Sequence, residues 1–378
     1  MLATVSRRRW LQTAAAAALS ACGNRARGKV TFAILAAKTG PRSLWGNDAL
    51  RGFELAIERA NLRGGLLGRT VRAVVVDTES RDEQNSTLAV RLCDREEPLA
   101  LFGEIGTSAC ERAANAIAEK SVSFVSFAST ARDLSRANEF AFRVAPTDTE
   151  HALALAKYTR TTLQKRRAAV IYRRNSLLQL QLADAFAEAL RRTGGEVIFR
   201  ETFSDVDTDV VALANLLRGS NPEVVFVPAS ATDAARVALA LRNARVTAQL
   251  LGTDGWRSDS VFSVGAESVN GAIVTDAFAP TAPRVATEAF VQGFRDRYRA
   301  EPGTFAALAY DAARWVLSAA TRVPSLDARV LRSALLGSQF DDGAAGVFSV
   351  SDQRILRRPI HLHKIERDRF VFLESVMP

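Results

Sequence analysis

Short runs of β-branched and aromatic residues alternate along this chain with longer segments whose apolar positions recur at helical spacing. In the first such pair, an apolar run at residues 30–35 precedes the segment 45–61. Within that segment Leu50, Phe53 and Ile57 lie on one face of a helix. A run of this kind predicts a strand, and a segment of this kind predicts an amphipathic helix packed against it.

The same pairing repeats along the chain. Further strands are predicted at residues 71–76, 99–103, 122–127, 168–172, 197–203, 224–227, 250–252 and 274–278, mostly separated by helical segments. Three helices at 284–298, 305–321 and 327–336 then lead to terminal strands at 347–350, 360–365 and 370–376. Alternating strands and helices form right-handed βαβ units with parallel sheets. The pattern therefore predicts an α/β fold with two doubly wound parallel-sheet lobes.

The length of 378 residues also favours two lobes, because single cores stop growing beyond about 250–300 residues. We predict a first lobe built from residues 29–147 and 278–349, and a second lobe built from 148–277 and 350–378. Neither a tandem repeat nor a low-complexity linker occurs after about Lys29. The hinge is therefore expected at the crossings between lobes.

The N-terminus has the pattern of an export signal. Residues 1–21 contain Arg7, Arg8 and Arg9, an apolar run and a small-residue box before Cys22. This arrangement resembles a twin-arginine signal joined to a bacterial lipobox. Cleavage would leave Cys22 as a lipidated first residue on a short tether, residues 22–28. The prediction is a lipid-anchored protein on the periplasmic side of the envelope, exported by the twin-arginine route; an ordinary cleaved signal is the alternative.

The charge balance changes this picture little. The chain has 50 basic and 41 acidic residues, and residues 1–21 contain three of the basic ones. Arginine pairs at 166–167, 173–174, 191–192 and 357–358 fall at predicted element ends and have no interleaved aromatic residues. That pattern is typical of solvated surface, so no nucleic-acid partner is expected.

Two cysteines besides Cys22 bear on the redox state. An oxidising compartment would permit a disulfide between Cys93 and Cys110, provided that their Cα atoms lie within about 7 Å of each other. We expect two buried free thiols instead.

Motifs for catalysis and cofactor binding are missing from the sequence. No Gly-x-Gly-x-x-Gly follows the first strand, no phosphate-binding Gly-Lys-Ser/Thr occurs, and the segment 106–110 is not a hydrolase nucleophile elbow. His361 and His363 share a face of a predicted strand and could bind a metal, but an exposed strand edge is the favoured interpretation. The sequence thus predicts a protein that is not an enzyme and has no cofactor or metal.

Six short motifs along the chain resemble one known family, the leucine/isoleucine/valine-type periplasmic solute-binding proteins with the type I fold. The motifs are Gly40-Pro41 with Trp45-Gly46, residues 60–69, Phe102-Gly103 before Thr107-Ser108, residues 142–146, residues 252–255 and residues 306–312. Their order and spacing cover residues from Val30 nearly to the C-terminus. The resemblance implies a monomer that captures an amino acid or a related carboxylate between its lobes and delivers it to an ABC permease.

Residues after the first-lobe strands are candidates for the ligand site. The loop ending in Thr107 and Ser108 follows a strand and opens a helix, so its N–H groups and hydroxyls can bind an anion. By the resemblance, Thr107 and Thr130 hold the ligand carboxylate. The same resemblance implies that the carbonyl of Ala128 and the carboxylate of Asp254 face the ammonium group of the ligand. Ser129 adds a hydroxyl beside them.

Three further candidates, Trp45, Leu178 and Ser230, occupy positions that form pocket walls in this family. Trp45 stands where an aromatic residue covers the apolar part of the ligand. The second-lobe motif appears here as Leu177-Leu178-Gln179-Leu180 without glycine, and Ser230 replaces a frequent aromatic. Arginines at 42, 132, 173 and 257 are expected near the mouth of the cleft. These departures leave the ligand open, and a ligand-sensing module or a structural envelope lipoprotein with a degenerate cleft is the alternative function.

Overall fold

The computed structural model describes residues 28–131, 134, 138–204 and 209–378. The predicted signal at residues 1–21, Cys22 and Arg132 lie outside these ranges. Within them, no helix combines the length and the apolar character that crossing a membrane requires.

Helices and strands alternate over most of the described chain. The helices are α1 Ser43–Leu62, α2 Asn85–Glu96, α3 Thr107–Ala116, α4 Asp148–Thr161, α5 Leu177–Arg192, α6 Asp209–Ser220, α7 Ala231–Asn243, α8 Ala266–Val269, α9 Val285–Tyr298, α10 Thr304–Ala320 and α11 Ala328–Leu335. The strands are β1 Lys29–Ala36, β2 Thr70–Asp77, β3 Ala100–Gly103, β4 Ser123–Ser126, β5 Ala141–Arg143, β6 Arg167–Arg173, β7 Glu196–Phe203, β8 Val224–Phe226, β9 Gln249–Gly252, β10 Ile273–Asp276, β11 Ser338–Phe340, β12 Phe348–Val350, β13 Leu356–Arg357, β14 Ile360–Glu366 and β15 Arg369–Val376.

A parallel five-stranded sheet, in the order β2-β1-β3-β4-β5, is the centre of the first unit. Phe32 and Ile34 of β1 belong to one hydrophobic core, and Ala33 and Leu35 belong to another on the opposite face. A strand that is apolar on both faces needs helices on both sides of the sheet. Helices α1, α9, α10 and α11 contribute to the first core, whereas α2 and α3 contribute to the second.

Helices α1 and α10 make a close crossing in the first core. A Cβ atom added to Gly52 of α1 would lie 2.0 Å from the carbonyl oxygen of Ala306 in α10. Only glycine permits this approach, so a residue with a side chain at position 52 would force the two helices apart.

The second unit is a seven-stranded sheet in the order β15-β14-β10-β9-β8-β6-β7. Strands β6 to β10 are parallel, while β14 pairs antiparallel with both β10 and β15. Alternate residues of β6 pack on opposite sides: Ala169 and Ile171 with α6 and α7, and Ala168 and Val170 with α4 and α5.

The predicted α/β architecture with parallel sheets is confirmed, but it contains antiparallel parts and elements that the sequence pattern did not predict. The terminal strands β14 and β15 add an antiparallel edge to the second sheet, and β11, β12 and β13 form a small antiparallel sheet of their own. The pattern missed helices α4 and α8 and the short strands β5, β11 and β13. The lobe boundaries at residues 147, 277 and 349 stay predictions.

The chain passes between the two units after β5, after β10 and before β14, and a buried ion pair lies where these passages meet. The carboxylate of Asp311 in α10 lies 3.5 Å from the guanidinium of Arg358, and both side chains are buried. Asp311 also accepts hydrogen bonds from the backbone N–H groups of Ala344 and Ala345 at 2.6 and 3.0 Å.

Arg358 and Thr287 extend this network to the passages themselves. The Arg358 guanidinium donates to the carbonyl of Val144, which follows β5, and to the carbonyl of Ala345 at 2.9 Å. Thr287, in the first turn of α9 after the second passage, donates to the carbonyl of Ala344 at 2.7 Å. The turn at residues 343–346 is thus bonded to residues beside two of the passages, and Arg358 links it to Val144 beside the remaining one.

We expect Asp311→Ala to lower the free energy of unfolding by about 3–5 kcal/mol, because it leaves the buried Arg358 charge without its partner. Urea unfolding followed by circular dichroism measures this change. The matched control is Asp342→Ala, whose carboxylate pairs with Arg314 but is 74% exposed. That substitution should cost about 1 kcal/mol or less. Equal losses in the two variants would contradict the role assigned to Asp311.

Candidate functional site

Two threonine hydroxyls meet at the carboxyl ends of β3 and β4. Thr107 is the first residue of α3, and its Oγ1 lies 3.4 Å from Oγ1 of Thr130. The backbone N–H of Thr130 also donates to Thr107 Oγ1 at 3.4 Å. Gly106 is the N-cap of α3 and supplies no side chain to cap it. The first N–H groups of α3 and the two hydroxyls therefore form a site that suits an anion.

The loop after β4 is held in place by Ser126. Its hydroxyl accepts hydrogen bonds from the N–H groups of Ser129 at 2.9 Å and Ala128 at 3.4 Å, and it lies 3.3 Å from the Cys110 sulfur. Ser129 is buried, and its hydroxyl accepts from the N–H of Ala131 at 3.3 Å. The Ser129 hydroxyl is therefore used within the loop, so its predicted contact with a ligand has less support than those of Thr107 and Thr130.

Asp148 adds a carboxylate that the sequence analysis missed. It is the first residue of α4 and lines the same cleft as Thr107 and Thr130. Thr147 before it forms a capping box with Glu150, and this Thr-x-x-Glu pattern is the sequence signal that could have revealed the helix start. The capping box fixes the entry of α4 and so directs the first turn towards the cleft.

Burial raises the pKa of Asp148 above its ordinary value, against the lowering effect of a hydrogen bond from Thr130. The carboxylate of Asp254 raises that pKa further, so the two acids interact electrostatically. Asp254 is exposed at the start of a short 3-10 helix, Asp254–Trp256, directly after β9. Trp256 anchors this turn, because its buried indole donates to the carbonyl of Val227 at 2.9 Å.

The structure therefore brings together Thr107, Thr130 and Asp148 in one cleft. Two hydroxyls and a helix N-terminus lie beside the Asp148 carboxylate, and the Asp254 carboxylate repels that group electrostatically. The cleft that Thr107, Thr130 and Asp148 line has a volume of about 1060 Å³ and continues between α4 and α5. Such a site can bind a ligand that carries both a negative and a positive group.

Four other predicted residues are placed differently. Ser108 is exposed on the outer side of the first turn of α3. Trp45 is 50% exposed and lines a separate depression with Asp48 and Glu301. Leu178 is 47% exposed in the first turn of α5, and the hydroxyl of Ser230 caps α7 by accepting from the N–H of Asp233 at 3.3 Å. None of these four lines the cleft beside Thr107, although Ala131 next to the predicted loop does.

The described arginines expected at the cleft mouth are already paired with acids. Arg42 bonds to Asp82, Arg173 to Asp233 at 2.7 Å and Arg257 to Asp276 at 2.8 Å. Since each guanidinium is neutralised by a carboxylate, these pairs offer little attraction for a second anionic group on the ligand.

Cys93 and Cys110 are buried free thiols, as expected. Burial raises the pKa of Cys93 to about 11 and that of Cys110 to about 12. Both side chains are therefore thiols rather than thiolates at neutral pH, and Cys110 serves as packing behind the Ser126 loop.

The interpretation of His361 and His363 as an exposed strand edge is wrong. Strand β14 lies between β10 and β15, and both side chains are 1% exposed. His361 bonds to Ser375 at 2.8 Å and to the carbonyl of Ala345 at 3.1 Å. Burial lowers the pKa of His361 to about 4 and that of His363 to about 3. In the described part of the chain, no cluster of His, Cys and acidic residues could hold a metal ion.

A family model described as periplasmic binding protein matches residues 29–369. The chain belongs to this family. Its members are substrate-binding proteins of ABC transporters rather than enzymes, which confirms the resemblance and the prediction that the chain is not an enzyme. Binding proteins of ABC importers act in the periplasm.

Individual relatives agree with the family match. Leu/Ile/Val-binding protein homolog 3 of Brucella melitensis is 25% identical over 371 residues, which cover 96% of this chain and 99% of that protein. An ABC transporter substrate-binding protein from Desulfitobacterium hafniense in complex with Leu has a TM-score of 0.78 at 23% identity, covering 91% of this chain and 100% of that one. A solute-binding protein from R. palustris in complex with benzoate has a TM-score of 0.71 at 19% identity, covering 93% and 97%. These two structures establish the fold.

We expect Asp148→Asn to raise the melting temperature of the ligand-free protein at pH 7 by a few degrees. The folded state raises the pKa of Asp148, so the stability associated with its protonated form is lost as the pH rises through that pKa. Asparagine removes this loss. The difference in melting temperature between the variant and the parent should shrink as the pH falls towards 4, because Asp148 becomes protonated in the parent. Calorimetry between pH 4 and 7 tests this, with exposed Asp368→Asn as the control. A lower melting temperature for Asp148→Asn at pH 7 would contradict the electrostatic assignment.

Proposed function

We propose that this chain is an extracytoplasmic solute-binding lipoprotein that captures an α-amino acid or a closely related ligand and delivers it to an ABC importer. One observation carries the proposal: the hydroxyls of Thr107 and Thr130, at the N-terminus of α3, line one cleft with the carboxylate of Asp148, which interacts electrostatically with Asp254. The α-carboxylate of an amino acid fits the hydroxyls and the helix N-terminus, and its ammonium group fits the two acids.

The pair of acids distinguishes between ligand classes. Asp148 and Asp254 destabilise each other when both are ionised, and a bound ammonium group relieves that repulsion. A carboxylate without an ammonium group, such as benzoate, would add a third negative charge beside them. The site therefore favours amino acids over simple carboxylates, consistent with the names of the Leu/Ile/Val-binding relatives.

The expected free energies of these hydrogen bonds are compatible with micromolar binding of an amino acid. Each charge-assisted hydrogen bond contributes about 1.5–3 kcal/mol. Four or five of them sum to about 6–15 kcal/mol, a range that includes the roughly 8 kcal/mol of a micromolar complex. The upper part of that range also covers the cost of ordering the ligand and closing the lobes. Contacts from the second-lobe side, including Asp254, would form fully on closure, and the closed form is the one that the importer receives.

Thermal unfolding against a ligand panel tests the proposal. A ligand at 100 times its Kd adds about 2.7 kcal/mol of stability. We expect a shift with one or more aliphatic amino acids and none with benzoate or with 4-methylpentanoate, which is leucine without its ammonium group. Equal shifts with leucine and 4-methylpentanoate would rule out the role of the two acids.

Titration calorimetry on variants tests the residues. We expect Thr107→Val and Asp148→Asn each to weaken binding of the cognate amino acid about 10- to 100-fold, because each removes a charge-assisted hydrogen bond. Thr321→Val and Asp368→Asn, at exposed positions away from the cleft, should bind as the parent does. Unchanged affinity in Thr107→Val would show that the ligand lies elsewhere.

The lipid anchor has its own test. In cells given labelled palmitate, the protein should incorporate the label and fractionate with membranes. Cys22→Ser should lose both properties, while Cys93→Ser, which alters a buried thiol, should retain them. Label that persists in Cys22→Ser would exclude lipidation at this residue.

A further inference from the structure

The topology of the second unit gathers many chain ends at one end of its sheet. Helices α4, α5, α6, α7 and α8 all finish there, because each leads directly into one of the parallel strands β6 to β10. The turn between β14 and β15 lies at the same end, since β14 is antiparallel to β10 and pairs Lys364 with Ile273. We call this surface the basal end and define it as residues 160–167, 188–196, 218–223, 242–249, 266–273 and 364–369.

Positive charge is concentrated at the basal end. These six segments contain twelve basic and six acidic residues, a net charge of +6. Residues 28–378 as a whole contain 45 basic and 41 acidic residues, a net charge of +4. The remainder of residues 28–378 is therefore slightly negative. The arginine pairs at 166–167 and 191–192, which look scattered along the sequence, are brought to one surface by the fold.

Some of these basic side chains have structural roles. Arg160 and Arg242 donate to the backbone carbonyls of Lys165 and Val246, at 2.9 and 2.8 Å. Arg191 and Arg192 both pair with Glu188. Each helix C-terminus contributes about half a negative charge. The four full-length helices that end here, α4 to α7, together contribute roughly two negative charges. The basal end keeps a net charge of about +4 after this offset.

Five arginines at the basal end are exposed, and within the described chain their side chains have no hydrogen bond or ion pair. They are Arg166, Arg218, Arg245, Arg367 and Arg369. Such side chains are free to contact a partner. They lie at the ends of α4, α6 and α7 and at the turn between β14 and β15, so the free charges are spread over the end of the unit rather than aligned along one element.

The shape of the basal end selects among anionic partners. Seven strands about 4.8 Å apart span roughly 30 Å, and the helix layers add about 10 Å on each side. A two-dimensional spread of this size matches an array of lipid headgroups, whereas a nucleic-acid duplex requires a stripe of charges that follows its phosphates. We propose that the basal end is a docking surface for anionic phospholipid headgroups.

Vesicle sedimentation tests this proposal with the chain from residue 22 onward carrying Cys22→Ser, so that no acyl chain contributes. We expect binding to vesicles of equal phosphatidylglycerol and phosphatidylcholine, and none to phosphatidylcholine alone. Raising the salt from 0.05 to 0.5 M should release the protein, because screening shortens the range of its charges. Absence of binding to the anionic vesicles at low salt would overturn the proposal.

A triple variant assigns the binding to the basal end. Each basic side chain near an anionic surface contributes about a fivefold change in affinity. Arg166→Gln, Arg218→Gln and Arg369→Gln together should therefore weaken vesicle binding roughly 100-fold. The matched control, Arg63→Gln, Arg91→Gln and Arg322→Gln, removes three exposed arginines of the first unit and the same net charge. It should reduce binding much less.

Two results would overturn the assignment even if vesicles bind. Equal losses in the two triple variants would mean that net charge, not the basal end, causes the attraction. The protein could also bind a short DNA duplex more tightly than vesicles and lose that binding in the basal triple variant. This result would assign the surface to nucleic acid. Unchanged melting temperatures in both triple variants exclude unfolding as the cause of any loss.

Discussion

The buried pair of Asp311 and Arg358 is the contact on which the arrangement of the two units depends. Neither charge could remain at this depth alone, since an isolated buried ion is strongly destabilising. Together they bond to the turn at residues 343–346 and to the carbonyl of Val144, beside the passages between the units. Three strands of chain join the units, and one buried hydrogen-bonded network lies beside all of them.

The proposed binding site draws its groups from both units. Thr107 and Thr130 follow strands of the first sheet, whereas Asp254 follows β9 of the second and Asp148 begins α4, which packs in a core of the second unit. Each group is positioned locally: Ser126 holds one loop, the Thr147 capping box holds α4, and Trp256 holds the Asp254 turn. The proposed site therefore needs the two units side by side, and the buried network lies at the passages that connect them.

Periodicity predicted most of the fold, because strands buried on both faces and helices buried on one face have distinct patterns. Helix α4 escaped since Ala152 to Ala156 form an unbroken apolar run without helical spacing, and Asp148 was missed with it. Strand ends could be recognised in the sequence, and together with the family resemblance they led to the prediction of Thr107, Thr130 and Asp254, which stays a prediction. His361 was misplaced because the burial of β14 follows from its pairing with β10 and β15, a long-range contact that local pattern does not encode.

The position of β14 and β15 also determines when the protein can complete its fold during synthesis. These last strands extend the second sheet, and Arg358 just before them supplies the partner of Asp311 in the first unit. A nascent chain that has not yet released residues 358–376 from the ribosome lacks both. Until then the second sheet has five of its seven strands and the Asp311 carboxylate in the first unit is unpaired, so loss of this segment affects both units.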